Sequence, residues 1–411
     1  MASLTRSSRP NKKAHIEKLL TRGVDQIIVR KHLEQVLVGS KKLRVKLGID
    51  PTSPDLHLGH AVVLKKLRDF QQLGHKVVLI IGDFTARVGD PSGQSKERPI
   101  LSEKEIKTNT KDYLSQVGKI IDVKKAEIRY NSEWLGKDVG ETLELVKVAT
   151  LNQVGERADF QERIKKGQKV SLLEALYPLL QGFDSVKVKA DVELGGTDQL
   201  LNLLMGRQVQ RYFGMKEQDI LITPLIEGTD GSAKMSKSKG NYIGLKDSPE
   251  EMFGKIMAIP DALIYKYFEL CTDANDSELR DIKKLLKSKK KNPMELKLRL
   301  GKEIVSLYHN QKMATDAEKK FIRVFSKKEL PEKIDLKVLD KKIYEITELL
   351  VATGMAPSKS EARRLVIQGG VKVGGKKVLD TEKKIKLSTE NTLLQVGKRR
   401  FLEVRIPKPL N

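Results

Sequence analysis

One cysteine, Cys271, stands among 411 residues, so no intrachain disulfide can form and no cysteine-based zinc site can be built. Such scarcity fits a reducing compartment, and a cytoplasmic location is expected. No uninterrupted apolar stretch approaches the roughly 18 residues that a membrane-spanning helix requires, which argues against membrane spanning. No signal peptide is recognised either: the basic start, residues 1–13, has no apolar run behind it and reads as a solvated tail. Internal repeats and low-complexity tracts are likewise missing. Acidic residues are in deficit, 54 Asp and Glu against 78 Lys and Arg, which leaves a net charge of +24. The excess is uneven, because residues 276–411 hold 34 Lys and Arg against 18 Asp and Glu and so carry +16 of it. A solvated, lysine-rich surface explains any single run such as 287–291. The regional imbalance instead suits a polyanion, and nucleic acid is the commonest one.

With 39% hydrophobic and 32% charged residues, a chain of this length can fill two or three domains. From Leu43 to about Ile226, short apolar runs alternate with helical patterns, as parallel strands joined by crossover helices do. Strands are expected over 43–49, 77–83, 127–130, 186–194 and 220–225. The 61–73 segment carries Val62, Val63, Leu67, Phe70 and Leu73 at helical spacing and stops at Gly74. Ser102 followed by Glu105 reads as a capping box that opens a helix toward Val117. This outlines an open α/β sheet, whose ligands sit at the carboxyl ends of strands. Two glycine-rich loops with polar tips, 82–93 and 195–199, follow expected strands. Beyond Gly244 the pattern changes to charged helices over 249–257, 262–271, 276–287, 293–309 and 314–325. The 326–342 stretch, with Pro331 and many charges, reads as a linker, and an apolar helix over 343–351 precedes short strands punctuated by Gly369-Gly370 and Gly374-Gly375.

Two strings carry most of the chemistry. Pro51-Thr52-Ser53-Pro54-Asp55-Leu56-His57-Leu58-Gly59-His60 puts two imidazoles three residues apart where a strand gives way to a helix. Lys234-Met235-Ser236-Lys237-Ser238 puts two ammonium groups and two hydroxyls on a loop flanked by Gly228, Gly231 and Gly240. Imidazoles, Thr52, helix-start amides and lysines suit a nucleotide triphosphate. Taken alone, His57 and His60 read first as a capping or packed pair. Tyr177, Gln181 and Asp184 fall at i, i+4 and i+7, one face of a helix, which is also the pattern of an ordinary amphipathic face. Asp90 before Pro91 suits a turn, and Thr197 and Asp198 after Gly195-Gly196 suit a helix cap.

Both strings together resemble the paired signatures of class I aminoacyl-tRNA synthetases. Asp50-Pro51-Thr52, Thr85, Gly89-Asp90-Pro91-Ser92-Gly93, Asn131, Tyr177-x3-Gln181-x2-Asp184 and Gly195-Gly196-Thr197-Asp198-Gln199 narrow the resemblance to tyrosyl-tRNA synthetases, specifically a bacterial subgroup. The resemblance implies a Rossmann-like catalytic domain over 41–244 with a connective insertion, behind N-terminal tail and helices in 1–40. It implies further an α-helical domain over 245–330 facing the anticodon stem, a linker over 331–342 and a small α+β RNA-binding domain over 343–411. The last resembles a ribosomal small-subunit fold through Ser360-x-x-Arg363-Arg364-Leu365-Val366 and Gly369-Gly370-Val371-x-Val373-Gly374. Arg363, Arg364, Lys372 and Lys376 are its expected RNA contacts.

The implied reaction joins L-tyrosine to ATP, releases pyrophosphate and passes tyrosine to the 3′ end of tRNA(Tyr). By resemblance, Thr52, His57, His60, Lys234 and Lys237 serve catalysis at the phosphates, while Asp50, Gly59, Gly196, Asp198 and Ser238 bind ATP. Asp184 reads the phenolic hydroxyl, Tyr177, Gln181 and Asp90 hold the α-ammonium with Thr85 and Asn131 in support, and Gln199 meets the carboxylate. A site built to bond a phenol leaves buried groups unpaired when phenylalanine enters, which rejects it. Mg2+ is expected to arrive with ATP, without a dedicated protein metal site, and the resemblance implies a homodimer. Two positions depart from the smaller subgroup: Lys46 replaces a tyrosine and places an ammonium near Asp184, and Gln94 replaces a lysine, although Arg98 is retained. A tryptophanyl-type synthetase and a non-catalytic RNA-binding or splicing relative are the alternatives.

Overall fold

The structure, a computed structural model, describes residues 12–92, 101–288, 292–326, 334–397 and 400–407. The start of the tail, Gly93, Gln94, Arg98, the end of the 287–291 lysine run and part of the expected linker lie outside the described residues. The chain divides into two compact units, Met1–Ala317 and Glu318–Asn411.

The first unit opens with α1 (Lys12–Thr21), β1 (Gln26–Ile28) and α2 (Arg30–Val38). β2 (Arg44–Ile49), α3 (Leu58–Gln72), β3 (Lys76–Ile81), α4 (Glu103–Val117) and β4 (Glu127–Tyr130) follow as consecutive crossovers. Helices α5 (Val139–Val146), α6 (Leu151–Gly155) and α7 (Ala158–Lys165) form an insertion before α8 (Leu172–Lys187) leads back to β5 (Val192–Gly196), α9 (Leu200–Tyr212) and β6 (Asp219–Thr223). The six strands lie in the order β1-β6-β5-β2-β3-β4, all parallel except β1, which runs antiparallel to β6. From β2 the chain winds outward to β4, and from β5 it winds the other way. The winding therefore reverses between β2 and β5, the position where open α/β sheets lodge ligands.

Val45, Leu47, Val78, Leu79, Ile80, Val192, Leu194, Ile220 and Leu221 are all buried. Covered on both faces, these strands read as apolar runs rather than alternating ones. Ser102 caps α4 in the expected box, with Glu105 returning a bond to the Ser102 amide. One expected strand needs correcting: 186–194 is split, because α8 runs on to Lys187 and β5 starts only at Val192. Val186, inside α8, and Val188, its C-cap, face the core without joining a strand, and Lys189 at φ 51 turns the chain. Strand β1 was not expected, since three residues carry no readable period.

Helices α10 (Pro249–Ala258), α11 (Ile264–Cys271), α12 (Asp276–Ser288), α13 (Pro293–Tyr308) and α14 (Gln311–Ser326) follow the five expected segments. Cys271 is buried, and burial pushes its thiol up to about 12, which leaves it unreactive. No helix among the described residues is long and apolar enough to cross a membrane.

The second unit contains β7 (Leu336–Val338), β8 (Ile343–Glu345), α15 (Ile346–Ala352), α16 (Lys359–Ile367), β9 (Val371–Val373), β10 (Lys376–Val378), β11 (Lys384–Lys386), β12 (Thr392–Val396) and β13 (Arg400–Arg405). A five-stranded sheet in the order β10-β9-β12-β13-β7 and a β11-β8 pair enclose Leu349, Leu350, Val366, Val371, Leu394 and Val404. Two expectations change here. Part of the expected linker is strand β7, whose side chains are all exposed and so leave no alternation to read. The helix expected from 343 starts at Ile346, because Ile343–Glu345 pairs with β11.

Candidate active site

The first string begins where β2 ends, at the reversal point of the sheet. His57 is the N-cap of α3: its Nδ1 accepts the Gly59 amide at 3.2 Å, and His60 Nδ1 accepts the His57 amide at 3.2 Å. The capping reading and the site reading therefore describe the same residues. With both Nδ1 atoms accepting, each ring presents Nε2–H as a neutral donor. Burial, His60 and the two signature lysines drive the His57 pKa far below its ordinary value. The rings lie 3.9 Å apart between centroids. A Cβ at Gly59 would stand 2.9 Å from the His57 ring, so only glycine lets the imidazole fold over the helix start.

The second string is physically joined to the first. Leu58 donates to the Ile243 carbonyl at 3.0 Å and Leu245 to the Leu56 carbonyl at 2.9 Å, so the segment after the lysine loop runs beside the histidines. Buried Asn241 holds the loop, accepting from the Ser236 amide at 2.8 Å and donating to Asp230 at 2.9 Å. Lys234 is exposed and Lys237 half-buried, and each already has a protein partner. Lys234 pairs with the Asp198 carboxylate, while Lys237 contacts the Ser53 hydroxyl and the Asp55 carbonyl. Burial lowers Lys237 to about 8, opposed by Asp55 and reinforced by Lys246.

One cavity is lined by Asp50, Thr52, His57, Gly59, His60, Thr85, Asp90, Tyr177, Gln181, Asp184, Gly196, Asp198, Gln199 and Lys234. Three expected site residues fall outside that lining. Lys237 is docked on the 53–55 loop, Ser238 is exposed beside Ser236 at 3.3 Å, and Asn131 is buried behind the wall.

The expected face of α8 forms as read. Asp184 is buried and accepts Trp134 Nε1–H at 2.9 Å and Asn131 Nδ2–H at 3.4 Å. Burial pushes its carboxyl up to about 7, against the pull of Lys46 and these two donors. The Tyr177 hydroxyl donates to Asp50 at 2.8 Å, and Thr85 donates to the other Asp50 oxygen at 2.7 Å. Asn131 in turn donates to the Thr85 hydroxyl at 2.9 Å. A Cβ at Gly82 would lie 1.9 Å from Asp50 Oδ1, so the glycine at the end of β3 makes room for that carboxylate.

Asp90 is a turn residue that also lines the cavity: it accepts the Ser92 amide at 2.9 Å and Gln199 Nε2–H at 2.8 Å. Asn202 donates to Asp90 at 3.3 Å and to Gln199 at 3.1 Å, and buried Arg157 donates to Asn202 at 2.7 Å. Trp134, Arg157, Asn202 and Asn241 were not anticipated. Trp134 had one readable signal, as the only tryptophan and three residues from Asn131. The other three are single polar residues whose partners are distant in sequence.

In the second unit, Arg363 and Arg364 are exposed on α16, and Lys372 and Lys376 are exposed on the β9–β10 hairpin. Arg364 forms an ion pair with Glu361 at 2.7 Å.

Residues 39–326 match the family described as tRNA synthetases class I (W and Y), and residues 348–391 match the S4 domain. The chain is 47% identical over 388 residues to a tyrosine–tRNA ligase of Thermotoga maritima, spanning 94% of this chain and 96% of that protein. It is 46% identical over 395 residues to tyrosine–tRNA ligase 2 of Clostridium acetobutylicum, spanning 95% and 98%. Its fold is similar to that of a tyrosyl-tRNA synthetase complexed with L-tyrosine from Archaeoglobus fulgidus, with TM-score 0.60, 23% identity, and coverage of 75% of this chain and 100% of that one. A full-length match at this identity, on a sheet that carries both signature strings at its reversal point, means that the chain belongs to the tyrosine–tRNA ligase family of class I tRNA synthetases and is an aminoacyl-tRNA synthetase acting on tyrosine.

Proposed function

We propose that the cavity between β2 and β5 binds L-tyrosine and ATP side by side and makes tyrosyl-adenylate. The observation that carries this reading is that one cavity is lined both by the buried Asp184 carboxylate and by His57, His60 and Lys234. Asp184, oriented by Trp134 and Asn131, accepts the phenolic hydroxyl. Tyr177, Gln181 and Asp90 receive the α-ammonium, with Thr85 and Asn131 in support: Asn131 donates to Thr85, and Thr85 to the Asp50 carboxylate that also accepts from Tyr177. Gln199 faces the substrate carboxylate. Asp50, Gly59, Gly196, Asp198 and Ser238 serve ATP, with Asp198 on the ribose.

No nucleophilic side chain is needed, because the tyrosine carboxylate is already ionised. Its oxygen forms a bond to the α-phosphorus while the bond to pyrophosphate breaks in line. Thr52 and the Nε2–H groups of His57 and His60 donate to phosphate oxygens as negative charge grows there. Lys234 leaves Asp198 and Lys237 leaves the 53–55 loop to reach the departing pyrophosphate, so each trades a protein partner for a phosphate one. Magnesium carried on the triphosphate as part of the substrate would neutralise its charge. Among the described residues, no group of three or more His, Cys, Asp or Glu could hold a metal ion.

In a second step the adenylate's acyl group passes to a ribose hydroxyl at the 3′ end of tRNA(Tyr), with release of AMP. Arg363, Arg364, Lys372 and Lys376 contact the RNA backbone, and the 245–330 helices face the anticodon stem. A homodimer is part of this reading. Val139, Leu143, Leu151, Ile164 and Leu172, on the insertion helices and the start of α8, are exposed apolar side chains of the kind that a second copy covers. Asp184→Ala tests the core of the proposal. Tyrosine activation is expected to fall at least about a hundredfold in kcat/KM while ATP affinity stays within about twofold. Equal activity of variant and parent would refute the role.

A further inference from the structure

Two charged residues interrupt the apolar strands beneath α8. Lys46 of β2 and Glu193 of β5 stand opposite each other in parallel register, both fully buried, with an ion pair of 2.8 Å. The ammonium does not line the cavity as a partner for substrate. It donates instead to the Gln181 carbonyl and to the Ser185 hydroxyl, each at 2.8 Å. Glu193 accepts from Ser185 at 3.1 Å and from Gln181 Nε2–H at 3.2 Å, with the Gln218 amide behind it. The pair thus grips α8 on both sides of Asp184, three residues before it and one after.

Packing alone does not call for these charges, because two ions removed from water generally cost more than a well-fitted apolar pair of the same size. What a fully bonded polar cluster adds is direction, since each bond fixes an angle as well as a distance. We propose that Lys46 and Glu193 are positioning residues for phenol recognition, locking the Gln181–Ser185 turn of α8 so that Asp184 and the Gln181 amide are aimed at bound tyrosine. The ammonium also draws the Asp184 carboxyl toward its ionised form, against burial. The proposal rests on the reading of Asp184 as the partner of the phenol.

The double variant Lys46→Met with Glu193→Gln replaces the pair by neutral side chains and strands no buried charge. In ATP–pyrophosphate exchange it is expected to raise KM for tyrosine at least about tenfold while KM for ATP and kcat/KM for phenylalanine stay within about twofold. Ser185→Ala removes the shared hydroxyl without touching a charge. It is expected to raise KM for tyrosine about threefold with the same selectivity, and it decides the matter if the double variant does not fold. An unchanged KM for tyrosine in Ser185→Ala and in any folded double variant overturns the proposal. So do equal losses toward tyrosine, phenylalanine and ATP, which mark a structural ion pair. Asp184→Asn separates the two layers of the reading. If it keeps discrimination against phenylalanine, the role of Asp184 itself fails; if it loses discrimination while the Lys46 and Glu193 variants keep it, only the positioning role fails.

Discussion

The individual side chains show why a site so well marked by its motifs was only partly visible in advance. Asp184, Tyr177 and Gln181 were legible because helical spacing puts them on one face, and α8 confirms it. Trp134, Arg157 and Asn202 were not, because the contact between Trp134 and Asp184 or between Arg157 and Asn202 is made by the fold and leaves no local pattern. Lys46 is the instructive residue. Its sequence position suggested an ammonium near Asp184, and its charge does act on that carboxyl, but the ion pair it forms is with Glu193. Burial also sets a cost at Asp184. Its folded pKa of about 7 exceeds the ordinary value of about 4, so the folded state holds the proton longer than the unfolded state does. The contribution of this group to stability therefore falls as pH rises from about 4 to about 7 and is level above. Asp184→Asn is accordingly expected to raise the unfolding free energy of the ligand-free protein by about 1–3 kcal/mol at pH 8 and by little at pH 4. Urea denaturation at the two pH values checks this, and a lower stability of the variant at pH 8 contradicts it.

At the level of elements, long periodic segments were readable and short ones were not. Helices α3, α4 and α10 to α14 follow their apolar spacing, and the parallel strands follow their apolar runs. Strands β1, β7 and β8 span three residues each and owe their form to a partner strand. The end of α8 is ambiguous in sequence, because Val186 and Val188 suit a strand equally well until tertiary packing decides. A buried clamp ties the insertion to α8. Arg163 of α7 holds Glu174 of α8 through two bonds of 2.8 and 3.0 Å, and Glu174 also closes the capping box at Ser171. Arg163→Met should cost about 3–5 kcal/mol by leaving Glu174 buried and unpaired, and the further change Glu174→Leu should recover most of that loss. Chemical denaturation of the parent, single and double variants measures both numbers; a single variant as stable as the parent would show the clamp to be dispensable.

The whole molecule is organised by charge as well as by fold. The basic excess of residues 276–411 was read from composition, and the S4 match over residues 348–391 falls inside that region. Arg363→Ala with Arg364→Ala is expected to weaken tRNA(Tyr) binding and to reduce its salt dependence by about two phosphate contacts, while tyrosine-dependent pyrophosphate exchange stays unchanged. Filter binding across a salt series reads the first effect, and loss of exchange activity instead would place these arginines in the service of the catalytic unit. The two arms of charge and fold meet in one assignment, tyrosine activation at the sheet's reversal point. ATP–pyrophosphate exchange across the amino acids tests it most directly. Strong exchange with tyrosine, little with phenylalanine or tryptophan, and its loss in His60→Ala with Lys237→Ala are expected; exchange driven by tryptophan, or tyrosine exchange that survives both substitutions, would contradict the assignment.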